Sequence, residues 1–178
     1  MSENTNANAQ APAAAEDMNE ILRIRRDKLA ALQAEGKDPF AVTTYPVTAH
    51  AAEITGDFEA MEGKEVQIAG RIMSWRDMGK ASFMDLRDRS GRIQVYLRKD
   101  DIGEETFADL KKWDIGDIIG VKGEVFRTRR GEISVHAREI TLLSKSLRPL
   151  PEKFHGLRDT DLRYRQRYLD LIVNPEVQ

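Results

Sequence analysis

The 178-residue sequence contains no cysteine. Disulfides and thiolate metal sites are therefore excluded, and the lack fits a reducing compartment. No apolar run approaches the roughly 18 residues that a membrane-spanning helix needs, so no membrane association is expected. The first 15 residues are polar and Ala-rich. They lack the basic start and apolar stretch of a secretion signal, and a cytoplasmic location is the expectation. Net charge is scarce as well: 28 Lys and Arg against 30 Asp and Glu leave −2 at pH 7. A bulk electrostatic grip on nucleic acid is not indicated, and any such site has to be a local patch. Among the histidines, His50 and His136 are isolated, without a carboxylate or second His at metal-ligand spacing. His155 falls in a connection and reads as a packing or capping residue. The glycines and lysine between Gly116 and Lys122 lack the strand–loop–helix setting of a phosphate loop. No nucleophile–base pair is present, so no catalytic residue, metal or cofactor is expected in this chain.

What is present is enough apolar content, 40%, for one compact domain plus extensions or for two small domains. Residues 1–16 are rich in Ala, Asn and Gln, offer little to bury and read as a disordered tail. From Asp17, Met18, Leu22, Leu29 and Leu32 make a sparse apolar stripe, with Arg23, Arg25, Arg26 and Lys28 around it. Gly36 and Pro39 end this amphipathic helix. Its basic face is either solvated or, through Arg25 and Arg26, in contact with phosphates beside a nucleic-acid site. The helix and a connection, with a short helix or irregular chain near 48–53, fill 17–62.

Residues 63–145 alternate as half-buried strands do. Val66, Ile68, Gly70 and Ile72 share one phase in "KEVQIAGRIMSWRDM". Met84 and Leu86 point inward in "ASFMDLRD", and Ile93, Val95 and Leu97 in "RIQVYLR", with "RSG" as the turn. "EETFADLKKW" has helical spacing. "GDIIGVKGEVFRT" and "GEISVHAREITLL" resume strands around a turn at "RRG". The order β-β-β-α-β-β predicts a mainly β fold, the five-stranded Greek-key barrel called the OB-fold. Gly70, Gly120 and Gly123 suit its sharp bends. Residues 146–178 hold an extended "RPLP" linker, then helical spacing from Thr160 to Ile172. Its apolar side has no partner downstream, so the sequence reads as truncated.

Phe83, Gln94 and Glu132 are out of phase with Met84, Ile93 and Ile133 beside them. A formed barrel projects all three from its outer surface, and OB-folds bind oligonucleotides on the face of their second and third strands. An exposed ring can stack on a base for roughly 1–3 kcal/mol. An amide and a carboxylate can read the base edge, and Arg76, Lys80, Arg87 and Arg98 can meet phosphates. The competing reading packs Phe83 under a loop or against the N-terminal helix. "RTRRG" is a solvated hairpin tip or a second backbone contact. Asp85 and Asp88, flanking Arg87, read as an ordinary surface ion pair.

"MGKASFMDLRDRSGRIQVYL", "KKWDIGDIIGVKGEVFRTRRGEISVHAREITLLSKSLRPLPEKFHGL" and "RYRQRYLDLI" resemble the N-terminal part of bacterial lysyl-tRNA synthetases, class II aminoacyl-tRNA synthetases, over about residues 17–178. The resemblance implies a barrel that binds the uridine-rich anticodon stem-loop of tRNA(Lys). It implies Phe83 as the stacking aromatic, Gln94 and Glu132 as readers, and Arg76 as a basic neighbour. It further implies a longer, homodimeric enzyme that activates lysine with ATP and Mg2+. The class II catalytic domain is missing here, with only the run-in to its first motif, a dimer-interface element. The chain as given is expected to bind tRNA without charging it. A freestanding OB module for single-stranded RNA is the alternative.

Overall fold

The computed structural model describes residues 10–151 and 160–174, and the side chains of 16–151 and 163–174. Helix α1 spans Gln10–Ala34. It therefore takes in residues 10–16, which composition assigned to a tail. Alanine is the best helix former, and extending an existing helix is far easier than nucleating one. The tail expectation for residues 1–9 lies outside the described residues. Gly36, at φ 73°, supplies the left-handed turn after the helix. Leu32 is buried and Leu22 and Leu29 are half-buried, but Met18 is exposed, so the inward stripe is shorter than its spacing predicted.

A 3-10 turn at Pro39–Ala41 and two short helices, α2 (Ala51–Gly56) and α3 (Phe58–Met61), lead into the barrel. His50 is the N-cap of α2, and its backbone N–H donates to Glu53 at 2.8 Å. The strands are β1 (Glu65–Asp77), β2 (Ala81–Arg87), β3 (Arg92–Arg98), β4 (Ile118–Arg127) and β5 (Ile133–Ser144). They close in the order β1-β2-β3-β5-β4, with β1 also paired to β4. All ladders are antiparallel except β3–β5, which is parallel. This is the OB-fold that the element order predicted. The intervening helix is broken into α4 (Lys99–Ile102), α5 (Glu104–Asp109) and a 3-10 turn at Leu110–Lys112. Gly103, at φ 88°, separates α4 from α5.

Ile68, Ile72, Met84, Leu86, Val95, Leu97, Ile119, Val121, Val125 and Val135 fill the barrel. Gly123 packs so close to β5 that a Cβ there would fall inside the His136 carbonyl. It stands where the β4–β5 register shifts.

Asp85 and Asp88 do not form the expected surface pair with Arg87. Asp85 is buried and accepts hydrogen bonds from Ser74 Oγ and the Arg92 guanidinium. Asp88 closes the β2–β3 turn by accepting from the Ser90 and Gly91 N–H groups at 2.7 and 3.0 Å, and holds α2 by accepting from Ala51 N–H at 2.8 Å. Burial pushes the Asp88 carboxyl up, but these donors outweigh it and hold it below the usual range.

Where α1 meets the barrel, the buried Lys145 ammonium lies 2.8 Å from Asp117 and 2.6 Å from Asp114, and Lys28 reaches Asp114 at 2.6 Å. Arg25 is buried here too, donating to the carbonyls of Ser146 (2.8 Å) and Ile115 (3.2 Å).

Residues 148–178 form a second unit. The single helix expected there is two, α6 (Thr160–Arg165) and α7 (Arg167–Val173), broken at Gln166 with ψ 57°. Asp170 is buried and accepts from Arg163 Nε, a guanidinium nitrogen of Arg167 and Asn174 Nδ2 at 2.7–2.8 Å. His155 and the rest of 152–159 lie outside the described residues. Among the described residues, no helix is long and apolar enough to cross a membrane.

Candidate nucleic-acid interface

Register fixes which side chains share the outer face. Arg76 pairs with Phe83, Phe83 with Tyr96, and Tyr96 with His136. A second row runs beside it through Ser74, Asp85, Gln94, Ser134 and Phe126. The bulge between Ile72 and Ser74 in β1 switches strand phase, which brings Arg76 onto this face. The first row carries rings and a cation, and the second is mostly polar.

Phe83 is half-buried. Its ring lies 4.9 Å from that of Tyr96, and the Arg76 guanidinium stands 5.6 Å from its centroid. Tyr96 continues the platform to His136 at 5.2 Å and Phe126 at 6.0 Å. An outward Phe is thus tolerated because neighbouring rings cover part of it, while Arg76 lies within cation–π range. His136 is not isolated: its Nε2 lies 2.7 Å from an Asp101 carboxylate oxygen. Burial pushes the Asp101 carboxyl up, and the His136 hydrogen bond with the Arg98 and Arg138 charges outweighs that and holds it low.

Gln94 is on the outer face as parity required, but it is only 8% exposed. Its Oε1 accepts a 2.9 Å hydrogen bond from Ser134 Oγ. Glu132 is exposed at the mouth of the β4–β5 hairpin. Thr128 fixes its backbone, donating N–H to the Glu132 carbonyl at 2.9 Å and accepting the Glu132 N–H through Oγ1 at 3.1 Å. At the hairpin tip Arg129 and Arg130 are exposed, while Arg127 stands 4.4 Å over the Phe58 ring.

The expected phosphate contacts divide. Arg76, Lys80 and Arg98 are exposed at or near the face, and Arg98 is paired with Asp100 and Asp101 at 3.4 and 3.8 Å. Arg87 is half-buried at the end of β2, in register with Arg71 and Arg92. Arg25 does not face solvent: it is buried in the helix–barrel junction, where its guanidinium donates to the carbonyls of Ser146 and Ile115, which removes it from the phosphate-contact candidates. Arg26 is exposed on α1, outside the strands that carry the face. Tyr96, Ser134, His136 and Phe126 were not singled out for this face from sequence. The alternation that found Gln94 extends two residues to Tyr96 and could have found it.

Residues 66–143 match the model of the tRNA anticodon family, described as an OB-fold nucleic acid binding domain. The barrel is therefore similar to the OB-fold nucleic acid binding domains of that family. Over 163 residues, 92% of its length, the chain is 55% identical to the lysine–tRNA ligase of Thermoanaerobacter pseudethanolicus and 53% identical to that of Clostridium tetani. Over 160 residues, 90% of its length, it is 56% identical to the lysine–tRNA ligase of Moorella thermoacetica. The chain is a relative of the N-terminal, anticodon-binding part of bacterial lysine–tRNA ligases. It spans 32–33% of the length of these curated relatives.

Proposed function

We propose that the outer face of the barrel recognises the uridine-rich anticodon stem-loop of tRNA(Lys), as the anticodon-binding part of a lysine–tRNA ligase. The observation that carries this reading is the half-buried Phe83 ring, flanked by Arg76 and Tyr96 on the face that also holds Gln94, with the exposed Glu132 at its rim. One central base stacks on Phe83 while the amide and carboxylate meet its edge. Arg76, Lys80 and Arg98 meet neighbouring phosphates.

Activation of lysine belongs in this proposal to the remaining length of the relatives, as do ATP, Mg2+ and a homodimer. Among the described residues, no group of three or more His, Asp or Glu is placed to hold a metal ion.

The test is binding of the 178-residue chain to a uridine-rich anticodon stem-loop and to a duplex of equal length and charge. The stem-loop should win, and added duplex should compete poorly, because its base edges are paired. Equal affinity for both would reduce the interaction to charge attraction and overturn the reading.

A further inference from the structure

We infer that Ser134 sets which base Gln94 accepts, by holding the Gln94 amide one way round; the inference rests on the anticodon reading above. Ser134 is fully buried, in register with Gln94 across the parallel β3–β5 ladder. Its hydroxyl donates to Gln94 Oε1 at 2.9 Å. A hydroxyl has one proton. The other acceptor in reach, the Glu132 carbonyl, is farther at 3.4 Å and already takes the Thr128 N–H at 2.9 Å. The proton therefore goes to the amide oxygen.

The neighbour on the other side enforces the same orientation. Asp85 pairs with Gln94 across the β2–β3 ladder and is itself an acceptor, engaged by Ser74 and Arg92. An amide oxygen turned towards β2 would face the strand that carries this carboxylate, a poorer partner than the Ser134 hydroxyl. With Oε1 fixed on β5, Gln94 offers a base only the two N–H groups of Nε2, for which no described residue acts as acceptor. A side chain that elsewhere presents either a donor or an acceptor is reduced to a donor.

That restriction has a chemical consequence. Uracil carries carbonyl oxygens at positions 2 and 4, whereas cytosine carries an amino group at position 4. A fixed N–H pair placed at position 4 satisfies the uracil carbonyl and opposes the cytosine amino group. An amide free to turn over would present Oε1 to cytosine and lose that selectivity. Ser134 touches no base in this arrangement; it is a positioning residue for specificity.

The experiment uses anticodon stem-loops differing only in U or C at the central position, bound to wild type, Ser134→Ala and Ser134→Cys, with thermal melts of all three. Wild type should prefer U. Ser134→Ala should lower that preference about tenfold, mainly by tighter binding of the C loop. Ser134→Cys, which keeps the size and a weak S–H donor, should fall between. If Ser134→Ala lowers both affinities equally and leaves their ratio intact, Ser134 is only structural and the inference is overturned. If wild type itself shows no preference, the anticodon reading fails and takes this inference with it.

Discussion

Arg76 and Phe83 face one another across the β1–β2 ladder, the guanidinium 5.6 Å from the ring centroid on the opposite strand. One face of the ring environment is thus positive, which favours a nucleobase with phosphates on either side of it. Phe83→Leu separates stacking from packing. Leucine keeps part of the buried area and loses the contact with Tyr96, an aromatic pair worth about 0.5–1.5 kcal/mol. Denaturant melts should shift by no more than that, while stem-loop affinity drops roughly tenfold or more. A loss of stability that matches the whole loss of affinity would make Phe83 a packing residue.

Glu132 is exposed and its backbone is pinned by Thr128, so its carboxylate can be changed without disturbing a buried partner. A carboxylate accepts from uracil N3–H and is repelled by the lone pair at cytosine N3. A U-to-C change at the central base should cost wild type about 2–3 kcal/mol of binding. Glu132→Gln should shrink the gap, because an amide can present either end. The check is a titration of both proteins with both stem-loops; discrimination that survives the substitution intact takes the reading role away from Glu132.

Lys145 and Asp117 are both buried, 2.8 Å apart, and removing one partner strands the other. Lys145→Ala should lower unfolding stability by about 3–5 kcal/mol. Urea titration measures it. A loss below about 1 kcal/mol would mean that water reaches Asp117 when the lysine is gone.

Gly123→Ala should destabilise by several kcal/mol or prevent folding, because the new methyl group collides with rigid backbone at His136 rather than with a flexible side chain. Gly63→Ala is a useful comparison. It has open space around it but sits at φ 72°, so its loss should be the smaller backbone strain alone. Melting temperatures of the two variants should fall in that order.

Acid should loosen the helix–barrel junction. Burial pushes the Asp114 carboxyl up, yet the Lys145 and Lys28 ammoniums outweigh it and hold it below the ordinary 3.8. A carboxyl depressed in the folded state stabilises fully above its unfolded value, and that stability is lost as pH falls through the folded one. The urea midpoint contributed by this group should be flat from pH 7 to about 5 and decline below about 4. Asp114→Asn should remove part of that decline; an unchanged acid slope would show that Asp88 and the other depressed carboxylates account for it.

The barrel was legible because its strands alternate cleanly and its core phase never slips within β2 or β3. The outward direction of Phe83 followed from that phase, and the exposure of Glu132 from the phase of Ile133 beside it. Gln94 followed in direction but not in burial, because its side-chain partner Ser134 comes from another strand and is set by register. Arg25 shows the limit on α1. Its spacing could not reveal that the carbonyls of Ile115 and Ser146 wait at the docking site, more than 80 residues away. The pairing of His136 with Asp101 was hidden for the same reason: 35 residues separate them, and the broken helix between β3 and β4 brings them together.

The parallel β3–β5 ladder has three residue pairs, Gln94 with Ser134, Val95 with Val135, and Tyr96 with His136. Its ends are 40 residues apart, so its formation bears a loop-closure entropy that the hairpin β2–β3 does not. Four of those six residues are the outer-face side chains that make up the middle of the site. The outer face is therefore incomplete in any partly folded chain in which the cylinder is still open, however complete its hairpins. A ligand seated there bridges the suture and selects the closed ensemble by mass action, so amide exchange along these three pairs should slow on binding more than anywhere else in the sheet.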